Sequence, residues 1–157
     1  MQLKKEIKIT LVKIHFIDRY INLSNKFAFD FKEKLREVDN STVLGIFDEL
    51  GYKVTFNKKE RFFKLVESVD GYKFQFNISL NHSVIEFIWA VWREEELQLG
   101  SPWDVLKELL DGSEESVRSP VFRNYVELKE ILSEALHMYE EFKRELILIY
   151  NNEINDV

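Results

Sequence analysis

Cysteine is absent from the 157-residue sequence. Without thiols the chain can form neither disulfides nor thiolate metal sites, a composition that suits a reducing cytoplasm. Two prolines and five glycines argue against a long flexible linker or a multi-domain array. No apolar run approaches the roughly 20 residues that a membrane span needs, and lysines interrupt the N-terminal segment. We therefore expect a soluble, unexported, cytoplasmic protein with no membrane partner.

Charge is unevenly distributed along the chain. Residues 1–64 carry 14 Lys or Arg and 9 Asp or Glu, a net charge of +5, whereas residues 65–157 carry 8 and 19, a net charge of −11. An acidic second half repels nucleic acid and attracts basic partners. The alternative interpretation is that both halves expose solvated helix faces. The length and the apolar fraction of 45% suit a single domain, 1–157, which we expect to be α+β. We expect its residues 151–157 to fray.

Helical periodicity is clearest near the N-terminus. Residues 2–38 repeat apolar side chains every three or four positions, which predicts helix. An extended start over the first dozen residues and a break at 22–25 between two helices are the alternatives. A short helix is expected to begin at one of the N-cap candidates Asp39, Asn40 and Ser41 and to end at Gly51.

Two further helices are predicted in the last third of the chain. Ser101 and Ser119 each precede a proline, the arrangement of an N-cap followed by the first helical residue. The first of these helices should end near Asp111, with Gly112 just beyond it. The second is long and carries an acidic stripe at helical spacing, formed by Glu127, Glu130, Glu134, Glu141 and Glu145.

Between the helical segments, residues 52–92 predict a four-stranded antiparallel meander. Asp70-Gly71 is a strong signal for a two-residue hairpin turn, because a type I′ turn needs positive φ at both positions. We place the next turn at Asn81-His82 and the first loop at 57–60. After the fourth strand, Glu94, Glu95 and Glu96 are expected to lead into a turn that ends near residue 100.

These turns agree on which residues share a face of the sheet. One face is apolar apart from Glu67, and its members are Val54, Phe63, Leu65, Phe74, Phe76, Ile78, Phe87, Trp89 and Val91. The other face is mixed and places Lys64, Asn77 and Glu86 in one row. Its further members are Thr55, Phe62, Val66, Lys73, Gln75, Ser79, Ile88, Ala90 and Trp92. We expect a sheet packed against the N-terminal and C-terminal helices, with the mixed face either covered by a helix or turned to a partner.

No motif indicates catalysis, a metal or a cofactor. The three histidines lack metal-ligand spacing, and neither a G-x-S-x-G nucleophile motif nor a glycine-rich phosphate loop is present. Glu86 is the best candidate for a perturbed carboxylate because apolar neighbours flank it, and a salt bridge to Lys64 is the alternative interpretation. The RNP1 pattern of RNA-binding sheets is absent and the chain is acidic, so we expect no nucleic-acid partner.

Three strings carry a resemblance to a known class of proteins: SVIEFIWAVWREEE, SPWDVLKELL and SPVFRNYVELKEILSEALHMYEEFKREL. Together with the order of helices and strands, they resemble small bacterial immunity proteins of polymorphic toxin systems. The resemblance covers roughly the last two-thirds of the chain and lies in the overall pattern, so it assigns no residue roles. It implies a cytoplasmic protein that binds and neutralises one cognate toxin domain without catalysis.

An inhibitory binding protein is therefore our first hypothesis for function. The resemblance implies that basic nucleases are among the candidate toxins, and an acidic inhibitor would associate faster with such a basic partner. The expected partner-binding residues are Phe62, Lys64, Lys73, Gln75, Asn77, Glu86, Ile88, Trp92, Glu94, Glu95, Glu96, Glu114 and Glu115. A small-molecule-binding protein or enzyme, with a pocket lined by Glu86, Lys64 and Trp92, is the second hypothesis. A structural homo-oligomer is the third, and we expect a monomer or a dimer.

Overall fold

The computed structural model describes residues 2–28, 35 and 37–155. These residues form an α+β fold with one antiparallel sheet, in which each strand pairs with its neighbours in sequence. The elements are α1 (Lys5–Lys13), α2 (Phe16–Lys26), α3 (Asn40–Glu49), β1 (Thr55–Asn57), β2 (Phe62–Val69), β3 (Tyr72–Asn81), β4 (Val84–Arg93), β5 (Glu96–Pro102), α4 (Trp103–Asp111) and α5 (Tyr125–Asn155).

The sheet has five strands, so the prediction of four was wrong. The segment expected to be a turn after Glu96 is β5, which pairs with β4 in antiparallel register. Glu94 and Glu95 form the connecting turn with φ angles of 51° and 66°. Two-residue hairpin turns of this kind favour Asn and Gly, which have the least steric cost at positive φ. A pair of glutamates carries no such signal, which is why the strand was missed.

The β2–β3 turn has its predicted register, but the β3–β4 turn lies one residue later, at His82 and Ser83. Leu80 consequently pairs with Ile85 instead of Ser83. The carbonyl of Ser83 accepts a hydrogen bond of 3.0 Å from the backbone N–H of Phe122, which ties the turn to the segment before α5. The register shifts by two residues, and because side chains alternate with period two, each one keeps its predicted face.

The loop between β1 and β2 is displaced in the same way. β1 begins at Thr55, and Phe56 pairs with Phe63. The side-chain oxygen of Asn57 accepts hydrogen bonds of 3.0 Å from the backbone N–H groups of residues 59–60, which builds the turn after Asn57. Because the pairing is again shifted by two residues, each side chain keeps its predicted face of the sheet.

The N-terminal segment forms two helices, and they separate at His15, not at the expected 22–25. His15 adopts a left-handed conformation with φ 57°, which ends the first helix and redirects the second. The residues of the expected break lie inside α2. Phe31, part of the predicted apolar repeat, lies outside the described residues. Leu35 and Val38 are half-buried and not helical.

The predicted limits of α3 are confirmed, with Gly51 just past its end at φ 91°. Of the three N-cap candidates Asp39 holds that position, but its side chain makes no capping hydrogen bond. The end of α4 is also confirmed, because Gly112 is its left-handed C-cap. The predicted start of α4 is wrong: Ser101 lies within β5, Pro102 is the N-cap, and the first helical residue is Trp103.

The start of α5 also differs from the prediction of a helix at Ser119. The helix begins at Tyr125, where the side chain of Asn124 accepts a hydrogen bond of 2.9 Å from the backbone N–H of Glu127. The backbone N–H groups in the first turn of a helix have no acceptor within the helix, and a side chain at this position supplies one. α5 continues to Asn155, through most of the segment for which we expected fraying.

The apolar face of the sheet packs against the helices as predicted. Its confirmed buried members are Phe63, Leu65, Phe74, Phe76, Ile78, Phe87, Trp89 and Val91. The Trp89 ring stacks on Phe142 of α5 with a centroid distance of 4.6 Å, and Phe87 lies 4.3 Å from Trp103 of α4. Glu67, the exception on this face, is only half-buried and accepts a 2.7 Å hydrogen bond from Lys143.

The other face of the sheet carries no helix among the residues that the structure describes. Along β2, β3 and β4, buried side chains of the core face alternate with half-buried or exposed ones on this second face. The fold therefore has two layers, and we call the second face of the sheet the open face.

Candidate partner-binding surface

The open face has an apolar half, formed by β4 and β5. Three cross-strand pairs bring its members together: Ile88 with Pro102, Ala90 with Gly100, and Trp92 with Leu97. We call these six residues the apolar strip. It extends about 13 Å along the strands, at roughly 3.3 Å per residue. Gly100, Pro102 and Leu97, which were not among the predicted binding residues, belong to it because they lie on the missed strand.

Trp92 and Leu97 are the large side chains at one end of the apolar strip. Leu97 is 52% exposed. The Lys73 ammonium lies 4.5 Å from the centroid of the Trp92 ring, close enough for a cation–π interaction. An amphipathic ring held in place beside an exposed leucine is typical of the centre of a protein–protein interface.

Gly100 lies at the middle of the apolar strip and is not required by the backbone. Its φ is outside the left-handed region, and a Cβ atom there would lie 3.6 Å from a methyl group of Leu97, an ordinary contact. Glycine weakens a strand and often marks a position where another chain approaches closely. The fold itself gives no reason for a glycine at this position.

The other half of the open face is mainly polar, with Phe62 and the 42% exposed Val66 of β2 as its apolar members. Gln75 donates a hydrogen bond of 3.0 Å to Asn77, and both are half-buried. Lys64 pairs across the strands with Asn77, as predicted, but the third member of the row is Ile88 and not Glu86. Phe62 is half-buried at the end of β2. The structure thus brings the predicted polar and apolar residues onto one surface.

Glu86 is exposed and pairs with Ser79 on β3. Within the described chain, no ion pair joins it to Lys64, so the expected salt bridge is not formed. Glu86 instead lines a groove of about 580 Å³ at one end of the sheet, together with Arg61 and His82. Lys64 and Trp92 are not among the lining residues of that groove, so the three residues of the pocket hypothesis are not brought together there.

The β4–β5 turn is an acidic feature beside the apolar strip. Glu94 and Glu95 are exposed, and no described residue forms an ion pair with either. Glu96 lies 3.5 Å from the Lys4 ammonium, a long contact between exposed groups. The neighbouring Arg93 does not neutralise the turn, because its guanidinium pairs with Glu153 at 2.9 Å.

The acidic stripe of α5 is largely paired within the molecule. Arg19 of α2 binds the carboxylates of both Glu134 and Glu141, and Lys13 of α1 lies 2.8 Å from Glu145. The Arg19 guanidinium holds the pKa of Glu141 below its usual value. The acidic stripe is therefore occupied mainly by ion pairs within the molecule.

Two further contacts extend the same pairing. Lys26 lies 3.7 Å from Glu130, and Arg123 lies 2.6 Å from Glu127, whose pKa it lowers. Opposite net charges in the two halves of the sequence were the signal that could have indicated the pairs of Lys13, Arg19 and Lys26 with α5.

Glu114 and Glu115 belong to the helical layer and not to the sheet that carries most of the other predicted binding residues. Their loop follows α4 and borders a groove of about 520 Å³ that is also lined by residues of α2, in the helical layer. The loop is held by Lys107, whose ammonium donates to Asp111 at 2.8 Å and to the carbonyl of Glu115 at 3.0 Å. Both glutamate side chains are exposed.

A part-buried polar cluster joins α5 to the edge of the sheet. The Lys143 ammonium donates to Glu67 at 2.7 Å and to Glu140 at 2.8 Å, and Tyr52 donates to Glu140 at 2.9 Å. Burial raises the pKa of Tyr52 and of Tyr139 well above the usual value, so both phenols stay protonated. Close pairing of each charge indicates a structural role.

Residues 2–28, 35 and 37–155 contain no group of three or more His, Asp or Glu side chains placed to hold a metal ion. None of the helices in this part of the chain combines the length and apolarity needed to cross a bilayer. Comparison with family models, with curated proteins and with solved structures gave no match to this chain.

Proposed function

We propose that this chain is a non-enzymatic inhibitor, an immunity protein that neutralises a cognate bacterial toxin domain by binding it. The observation that carries the proposal is the open face with its apolar strip. The fold has no need of a half-buried Trp92 on an uncovered face beside an exposed Leu97, whereas an interface centre does. The sequence resemblance to immunity proteins supplies the class of partner.

The size and layout of the open face support a protein partner. Strands about 4.8 Å apart and up to about 33 Å long give an area on the order of 700 Å². A standard interface buries about 800 Å² on each partner. An apolar centre surrounded by lysine, glutamine and glutamate side chains also matches the usual division into core and rim.

Size-exclusion chromatography tests the proposal directly. The purified chain is mixed with the C-terminal domain of a large secreted protein encoded next to it, and toxin activity is measured in parallel. We expect a complex of defined stoichiometry and loss of toxin activity. Trp92→Ala should weaken the complex, whereas Val126→Ala, which shortens an exposed apolar side chain on α5, should not. Full toxin activity in the presence of excess chain, with no complex, would refute the proposal.

A small molecule bound in the groove lined by Glu86, Arg61 and His82 is the second candidate function. Opposite charges around a cavity of about 580 Å³ favour a polar ligand. Screening a metabolite collection by thermal shift, with Arg61→Ala as the control, tests it. A ligand that stabilises the parent chain and not the variant would support this candidate, and no stabilisation by any compound would count against it.

A further inference from the structure

We infer that the open face is complementary to itself, and that two copies of this chain pair through it in the absence of any other partner. The inference depends on the open face alone and not on the identity of a toxin. Its basis is the distribution of the charges that remain free once the internal ion pairs are assigned.

One end of the sheet is acidic. The β2–β3 turn contributes Asp70, and the β4–β5 turn contributes Glu94 and Glu95. All three side chains are exposed, and none forms an ion pair within the described ranges. Lys73, the nearest cation on the open face, lies over the Trp92 ring. We call these three carboxylates the acidic end.

The opposite end of the sheet is basic at the β1–β2 loop. Lys58, Lys59 and Arg61 are exposed there; the acidic residues beside them are Glu60 and Glu86, which borders the same groove, so this end keeps a net positive charge. No ion pair between described residues includes any of the three cations. We call these three residues the basic end. A strand of ten residues separates the two ends of the sheet by about 33 Å.

A second copy supplies the matching arrangement. A two-fold axis lying in the interface, across the line that joins the two ends, places the acidic end of one copy over the basic end of the other. The same contact is then made twice, and the apolar strips of both copies are shielded between them. Complementary potentials of this kind set the orientation of a complex and speed its formation, and salt weakens them.

Sedimentation equilibrium of the purified chain, from about 10 µM to 1 mM, tests the inference. We expect a reversible dimer that weakens as salt is raised. The charge reversals E94K/E95K and K58E/K59E should each raise the dimer dissociation constant by at least about tenfold. E114K/E115K makes the same charge change in the helical layer and should leave the constant within about twofold.

Mixing the two reversed variants is the decisive experiment. In the mixed pair, the altered acidic end of one variant would lie over the altered basic end of the other, again with opposite charges. The unaltered ends would meet as in the parent dimer, so dimerisation should return to the parent value. A parent chain that is monomeric throughout overturns the inference. A dimer that neither reversal affects, or that mixing does not restore, also overturns it, because the contact would then involve another surface. The outcome of the toxin-binding experiment does not depend on these results.

Discussion

The glutamates of α5 and those of the β4–β5 turn look alike in the sequence but have opposite surroundings. Glu134 and Glu141 share the guanidinium of Arg19 where α2 faces α5. Glu94 and Glu95 extend into solvent beside Trp92. The comparison shows that the acidic half of a chain need not form an acidic surface, because the basic half can neutralise most of it. Only the charges left over after pairing act on a partner.

The largest effect is expected from removing the cation that neutralises α5. Arg19→Ala leaves Glu134 and Glu141 facing each other without their shared partner, and part-buried carboxylates lose most when unpaired. We expect the free energy of unfolding in urea to fall by about 2 kcal/mol. The control E94Q/E95Q alters the exposed turn instead and should change stability by less than about 0.5 kcal/mol. Equal losses of unfolding free energy in the two variants would contradict the inference that the paired glutamates contribute more to stability than the free ones.

A substitution on the open face should lower the affinity for a partner more than it lowers the free energy of unfolding. Trp92→Ala truncates a half-buried side chain on the open face, away from the packed core, so we expect a loss of stability of about 1 kcal/mol, below the roughly 3 kcal/mol or more of a fully buried aromatic. Affinity for the toxin domain should fall by about 2 kcal/mol, the usual cost of truncating an interface tryptophan. Calorimetry of binding and urea unfolding of the same variant measure the two quantities. A large stability loss with unchanged affinity would place Trp92 in the core.

The paired glutamates should also give the protein an acid-sensitive stability. The pKa values of Glu127, Glu141 and Glu153 are lowered in the folded state by Arg123, Arg19 and Arg93. A group with a lowered folded pKa stabilises the protein above its unfolded pKa of about 4.3, and that stabilisation is lost as pH falls through the folded value. We expect the free energy of unfolding to fall progressively as the pH drops below about 5. Glu141→Gln should lower stability at pH 7 by about 1 kcal/mol and reduce this pH dependence, and an unchanged slope would contradict the assignment.

The smallest effect is expected at Gly100. Gly100→Ala adds a Cβ atom in ordinary contact with Leu97 and reduces the flexibility of the unfolded chain, so stability should rise by about 0.5 kcal/mol. If another chain approaches the open face at this point, the same substitution should weaken binding to it. Thermal unfolding and the binding assay together check both halves of the prediction. A loss of stability would show that the fold does require glycine there.

The sheet illustrates how far local sequence signals extend. The assignment of residues to the two faces was correct even where the register was wrong, because both misplaced turns shifted the pairing by two residues. Asp70-Gly71 carried a real turn signal and gave the right register. Glu94-Glu95 carried none, so β5 and half of the apolar strip could not be predicted.

Charge pairing and helix starts depend on contacts between distant parts of the chain. The spacing of the α5 glutamates predicted a stripe correctly, but not that Arg19 and Lys13 would face it. Similarly, Ser119 looked like a cap, yet the segment after it bonds to the β3–β4 turn and the helix starts later. Sequence spacing within one element cannot report such long-range partners.

The sequential order of the five strands has a consequence for folding kinetics. Each strand pairs with the strand that precedes it in the sequence, so the sheet can form by closing short loops, which is rapid. The ion pairs of Arg19 and Lys13 with α5 instead join the two ends of the chain and require a long loop to close. We therefore expect the sheet to be structured in the transition state for folding and the contacts of α1 and α2 with α5 to form after it. Substitutions in that contact would then speed unfolding and leave the folding rate nearly unchanged.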